Sequence, residues 1–275
     1  MIGSPYKIIR HIDRGRFIAQ EISGYNIDII EQSIFSRLSS CTADAINRKL
    51  EAVDQTISAE TNEVFISLGE NCGAAFQMRN SGINTLGANF FDNTVIRAED
   101  IPNIISDRFR SMLSLINLSI GSWEGHDSVY DDFYKIFFHH YFIPGHGVEK
   151  YNEKMNCRQI DKEDIPLFLP VVRGQFEYLA GKFIKIANAQ IKKYYVIRNV
   201  EGRAISEATL DRISAALTSI GAVNYDLIQV ITYLDGPPIS KKYGHWSILE
   251  EGERWGDKAE WLAYSQGRER GNSWR

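Results

Sequence analysis

The 275-residue sequence has no uninterrupted apolar run near the ~18 residues that a membrane span needs, so no spanning helix is expected. Positive charge is not in surplus. Lys and Arg number 31 against 35 Asp and Glu, and the resulting net charge of −4 gives no electrostatic case for nucleic acid, where a basic face is required. The arginines between Gln266 and Arg275 are interrupted by Glu269 and read as a solvated end. Cysteine is scarce: Cys41, Cys72 and Cys157 are odd in number, far apart and in dissimilar contexts. That excludes a disulfide framework and fits a reducing cytoplasm, the expected location. The N-terminus, Met-Ile-Gly-Ser-Pro-Tyr-Lys, lacks the basic start and apolar run of a secretory signal. Repeats, low-complexity tracts and heptads are missing as well. What is present is an ordinary globular composition, 44% hydrophobic and 24% charged. A core of that size needs no metal or disulfide staple.

The pattern divides the chain into an N-terminal appendage, residues 1–60, and an α/β domain, residues 61–275. In the appendage, Tyr6 to Ile12 and Phe17 to Ile22 flank the turn-forming Asp13-Arg14-Gly15-Arg16, a hairpin signal. Helices are expected over residues 26–38 and 43–57, the second capped by Thr42. Beyond it, Val64 to Leu68 reads as a buried strand, Gly69 as a tight turn, and Cys72 as the start of a helix that stops at Asn80-Ser81-Gly82. A helix is expected from Ile101 to Leu118, with a stripe of Ile104, Ile105, Phe109, Met112, Leu113 and Ile116. Residues 121–132 read as a polar, glycine-containing loop, and Tyr134 to Phe142 as a dense β-type run. The rest alternates: a helix over Pro166–Ala189 in which Pro170 strains the first turn, a strand at Tyr194–Ile197, a helix over Glu207–Ile220 capped by Ser206, and strands at Tyr225–Leu234 and Trp246–Leu249. A final helix is expected from Asp257. This alternation predicts a mostly parallel sheet flanked by helices, with a site at the carboxyl ends of its strands.

Those ends supply the candidate chemistry. Cys72 sits where a helix N-terminus lowers a thiol pKa, which marks a candidate nucleophile; the other reading is a small apolar filler between helix and sheet. A nucleophilic thiol needs an imidazole and a group to orient it. His139 and His140 both end a strand, and alternation sends their rings to opposite faces, so one at most serves as base and either can be a core residue. Asp92, following Phe90-Phe91, either orients the imidazole or caps a turn; Asn199 and Asp235 are weaker choices. Asn71 with the backbone of Cys72 or Gly73 offers an oxyanion site, and Arg198 and Asn199 line the same edge. Gly69-Glu-Asn-Cys-Gly lacks the phosphate-loop ending and spacing. His139, His140, His146 and Cys157 match no metal-ligand spacing, so neither metal nor cofactor is expected. Trp246, Trp255 and Trp261 read as core, with a sugar-stacking platform as the other possibility.

With Ser67-Leu-Gly-Glu-Asn-Cys72, the following Ala75-Phe-Gln-Met-Arg79, Phe91-Asp92-Asn93, His140-Tyr141-Phe142, Ile197-Arg198 and Trp255-Gly-Asp257…Trp261, the chain resembles a bacterial family of uncharacterised proteins described as papain-like cysteine peptidases. The resemblance spans roughly Val64 to Ala263. It implies Cys72 as nucleophile, His140 as base and Asp92 as acid partner. Asn93 and Tyr141 stand where the family pattern has tryptophan and aspartate, and papain's own cysteine signature is absent. The expected function is a thiol hydrolase or acyl transferase acting on a small-molecule, peptide or glycan substrate. The competing expectation is a non-catalytic or carbohydrate-processing α/β module in surface-polysaccharide assembly.

Overall fold

The computed structural model describes residues 6–9, 18–21, 42–60, 62–69, 72–142, 151–152, 157–158, 160, 162, 165–198, 205–232 and 242–248. In chain order its elements are β1 (Tyr6–Ile9), β2 (Ile18–Glu21), α1 (Ala43–Glu60), β3 (Glu63–Ser67), α2 (Gly73–Asn80), β4 (Val95–Ile96), α3 (Ile101–Ser106), β5 (Leu118–Trp123), β6 (His126–Asp131), β7 (Ile136–Phe138), β8 (Tyr151–Asn152), β9 (Cys157–Arg158), α4 (Ile165–Asn188), β10 (Lys192–Arg198), α5 (Glu207–Ser219), β11 (Tyr225–Thr232) and β12 (Gly244–Ile248). β1 pairs antiparallel with β2, Tyr6 opposite Glu21, as the hairpin signal predicts. The helix expected over residues 26–38 and the one from Asp257 lie outside the described residues.

Two sheets organise the rest. The first, β12-β11-β10-β3, is parallel throughout. Its central strands are apolar on both faces, as a sheet covered on two sides must be. Tyr195 and Ile197 of β10 face the larger core with α4 and α5, while Tyr194 and Val196 face the smaller one, where Phe65, Ala74 and Met78 pack. The second sheet, β4-β7-β6-β5, is antiparallel and enters the chain between α2 and α4. The described fold is therefore mixed α/β, and the sequence reading of a mostly parallel sheet holds for the first sheet alone.

Three local differences explain the second sheet. Residues 121–132 are not a loop: β5 and β6 form a hairpin closed by Glu124 (φ 52°) and Gly125 (φ 80°), with Trp123 opposite His126. Two positive φ values are the turn that matches strand twist, here without the usual Asn-Gly or Asp-Gly signal. The helix expected to reach Leu118 stops at Ser106. Asp107 Oδ2 accepts the Ser111 N–H at 2.9 Å and Asp131 Oδ2 accepts that of Leu113 at 3.1 Å, while Arg108, Phe109 and Leu113 turn to positive φ. Side chains have outbid the helix for these amides. Ile116 leaves the expected buried stripe and is 92% exposed. Finally, the run Tyr134–Phe142 narrows to three strand residues, because Asp131 Oδ1 holds Phe133 and Tyr134 in a turn.

Elsewhere the expected elements form. Thr42 caps α1 through its hydroxyl on the Ala45 N–H at 3.3 Å, and Ser206 caps α5 through that of Thr209 at 3.2 Å. α4 continues through Pro170. α1 lies along α4, with Val53 in the larger core and Leu50 so close that a Cβ on Gly181 would meet its Cδ1 at 3.0 Å.

Candidate active site

β3 runs into the sheet as a buried strand and the chain must then reverse into α2 within a few residues. Gly69 makes this possible. Its φ of +94° suits glycine, and a Cβ there would meet Ile96 Cγ2 at 3.1 Å and Phe91 Cβ at 3.3 Å. Ser67 Oγ accepts the Gly69 N–H at 3.2 Å. Cys72 is the N-cap of α2, and its carbonyl accepts the Phe76 N–H at 2.9 Å. The helix ends on Gly82, with Ile83 N–H on the Met78 carbonyl and Gly82 N–H on that of Arg79, the expected glycine stop.

α2 is amphipathic over its eight residues. Gly73, Ala74, Ala75, Gln77 and Met78 are buried, whereas Phe76, Arg79 and Asn80 face outward and Cys72 is half-buried on that same side. Its thiol does not follow the expected lowering. Burial pushes its pKa up, and the Glu124 carboxylate adds to the rise; a hydrogen bond from its own backbone and the Arg79 charge act the other way. Desolvation of the thiolate outweighs the lowering from the backbone hydrogen bond and Arg79.

Asp92 is 1% exposed, drawn inward by the two aromatics before it. Phe90 lies 4.5 Å from Phe109 and 5.2 Å from Phe176, and Phe91 lies 5.8 Å from Phe183, ring centre to ring centre. Asp92 Oδ2 accepts from Arg79 Nη1 at 2.7 Å and from the Asn89 N–H at 2.9 Å; Oδ1 is buried without a hydrogen-bond partner. Among the described residues neither oxygen bonds an imidazole, so the residue expected to orient a histidine instead anchors the arginine of the Cys72 helix. Burial raises its pKa to about 6, against the lowering effects of the Asn89 amide, Arg79 and Lys182. Lys182, 3% exposed, reaches from α4 to donate to the carbonyls of Leu86 and, at 2.8 Å, Ala88, and burial lowers its pKa to about 8.

His126 at the start of β6 and His139 and His140 in the turn after β7 form a row. His126 lies 6.0 Å from His139, and His139 lies 4.9 Å from His140, ring centre to ring centre. His139 is half-buried and His140 exposed. Both lie in the turn after β7 with their rings adjacent, so the expected strand alternation to opposite faces does not apply. They follow β7, so they do not share a sheet edge with Cys72 as expected. Glu124, in the β5–β6 turn, acts electrostatically on the thiol. Arg198 does end a parallel strand: it is buried, opposite Val230, on the β10 face shared with Tyr194 and Val196. Gly73 opens α2 and is buried. Asn71, Asn199, Asp235 and His146 lie outside the described residues, and so do the side chains of Cys157 and Trp246. Among the described residues, no three His, Cys, Asp or Glu side chains are grouped to hold a metal ion, and no helix is long and apolar enough to cross a membrane.

The structure thus puts Cys72 under the electrostatic influence of Arg79 and Glu124, and bonds Arg79 to Asp92. Sequence reasoning named Arg79 only as the end of a family motif, with no role, and singled out none of Glu124, His126 and Lys182. Arg79 had a legible signal, seven residues after Cys72 and hence on the same helix face. Lys182 had none, being a charged residue inside an apolar helical pattern. Two surface cavities lie away from this site. One of about 880 Å³ opens where β10 begins, beside Asn62, Lys185 and Lys192; the other, of about 810 Å³, is lined by Met112, Ile116, Phe133 and Arg173. Comparison with family models, curated proteins and solved structures finds no match.

Proposed function

We propose that this protein is a thiol-dependent hydrolase or acyl transferase of the reducing cytoplasm, in keeping with its resemblance to papain-like cysteine peptidases. The observation that carries the reading is the position of Cys72: a half-buried thiol at the turn from a parallel strand to a helix, on the helix face that also presents Arg79. Because burial raises the thiol pKa, the reacting form is made at the moment of attack and not stored as a thiolate. A base takes the thiol proton as sulfur adds to the substrate carbonyl. The tetrahedral intermediate expels its leaving group, which receives that proton, and water or another acceptor then cleaves the thioester. His140 is the proposed base and His139 the alternate. Asp92 acts through Arg79.

The test is acylation with p-nitrophenyl acetate followed by peptide mass spectrometry. A hydroxylamine-labile acetyl group on Cys72, lost in Cys72→Ser and slowed in His140→Ala or His139→Ala, is the expected result. An unmodified Cys72, or equal rates in both histidine variants and the parent, overturns it.

The raised thiol pKa and the commitment of Asp92 to Arg79 favour a second reading, in which the same edge is a binding pocket of a carbohydrate-processing module in surface-polysaccharide assembly. Under that reading Cys72→Ser binds glycan as the parent does.

A further inference from the structure

The outward face of α2 carries Cys72, Phe76 and Arg79 at positions i, i+4 and i+7, the spacing that aligns side chains along one helix face. Phe76 is a large apolar side chain left 51% exposed on a helix whose other apolar residues are buried. Arg79 keeps 35% of its side chain in solvent although one nitrogen is bound to a carboxylate only 2% exposed. That arrangement fixes a guanidinium without hiding it. A guanidinium has five N–H donors in a planar fork, and Asp92 is its partner among the described residues. Behind Asp92, a chain of bonds holds the arginine's anchor: the Asn89 amide on Asp92, Asn89 Nδ2 on the Thr85 and Gly87 carbonyls at 3.1 and 3.2 Å, and Lys182 on those of Leu86 and Ala88. Helical side chains lean toward the N-terminus, and the Arg79 charge is felt at the Cys72 thiol, with Glu124 opposing it from the hairpin tip.

We propose that Arg79 and Phe76 form the recognition surface beside Cys72 for a substrate carrying a carboxylate next to an apolar group. Arg79 pairs with the carboxylate and Phe76 covers the apolar portion, leaving the acyl carbon to approach the thiol. Asp92 and Lys182 are positioning residues that hold the guanidinium. The proposal rests on the reading of Cys72 as the reacting thiol, and its test separates the two.

Cys72 is alkylated in the full-length protein with iodoacetate and with iodoacetamide, each forming a thioether with loss of iodide, and rates are read at Cys72 by peptide mass spectrometry. The same residues in an unstructured peptide give the reference ratio. The expected result is a preference for iodoacetate at least about threefold above the peptide, as for a partly exposed ion pair. It falls toward the peptide value in Arg79→Gln and in high salt, and is kept in Arg79→Lys. The salt arm uses the unsubstituted protein, so a variant that fails to fold does not decide the matter. The thiol reading is judged separately, by acetylation of Cys72 with p-nitrophenyl acetate. Acetylation without the charge preference overturns the proposal alone, the preference without acetylation overturns only the thiol reading, and the absence of both overturns both. Phe76 is tested by protection: 3-phenylpropionate slows alkylation more than acetate does, and Phe76→Ala removes the difference. Equal protection by the two acids removes Phe76 from the surface.

Discussion

Arg79 Nη1 and Asp92 Oδ2 are 2.7 Å apart, and this one bond ties the helix of Cys72 to a turn sunk in the aromatic core by Phe90 and Phe91. The carboxylate is nearly inaccessible while the arginine is not. Stability and recognition therefore meet at the pair: the buried partner fixes geometry, and the exposed partner presents charge.

Asp92 makes the fold respond to pH. Its folded pKa of about 6 lies above the ordinary 3.8, so protonation is favoured by folding. The stability it contributes is fully present below the unfolded value and is lost as pH rises through about 6, an effect of order 3 kcal/mol for a group this buried. Arg79, Lys182 and Tyr141 face the carboxyl, and the Asn89 amide binds it. The denaturation midpoint of the parent relative to Asp92→Asn is expected to fall between about pH 4 and about pH 7. A constant difference across that range contradicts the assignment.

Lys182→Met removes the donors of two loop carbonyls. The expected loss is about 2 kcal/mol, since buried acceptors without partners retain their desolvation cost. Because Lys182 lowers the Asp92 pKa, the same substitution moves the Asp92-dependent transition to higher pH. Urea denaturation at several pH values measures both.

Gly69→Ala places a Cβ at positive φ against Ile96 and Phe91. The expected cost is about 1–3 kcal/mol of stability, read by thermal denaturation. Labelling of Cys72 should change in the same variant, because the turn sets where α2 begins. Gly82→Ala meets nothing within 4 Å, so it bears the φ penalty alone and serves as the control.

The Cys72 thiol should titrate above an ordinary cysteine, since burial outweighs the lowering from its backbone hydrogen bond and from Arg79. Iodoacetamide labelling as a function of pH gives the midpoint. Glu124→Gln removes a carboxylate that raises the pKa and shifts the midpoint down. Arg79→Gln removes a cation that lowers it and shifts the midpoint up. Movement of both in one direction excludes this electrostatic picture.

Much of the skeleton was legible in the amino-acid pattern because it depends on local chemistry. The apolar run Val64–Leu68, the glycine that follows, the cap at Ser206 and the stop at Gly82 each carry a short-range signal that folding did not override. The same holds for the placement of Cys72 at the strand-to-helix turn and of Arg198 at a strand end. The β5–β6 hairpin was not legible. Its strands are half-exposed and polar, and its Glu-Gly turn lacks the strongest hairpin residues.

What the sequence by itself determined is the order of the strands and helices of the parallel sheet and the residues at their ends, since periodicity and capping act over a few positions. Only the tertiary structure decided which ends meet. It gave Asp92 to Arg79 and not to a histidine, put His139 and His140 in the turn after a strand of the second sheet, and let the Glu124 charge act on the thiol. It also set the direction of the Cys72 pKa, because burial, the largest cause of the rise, is a property of the packed chain.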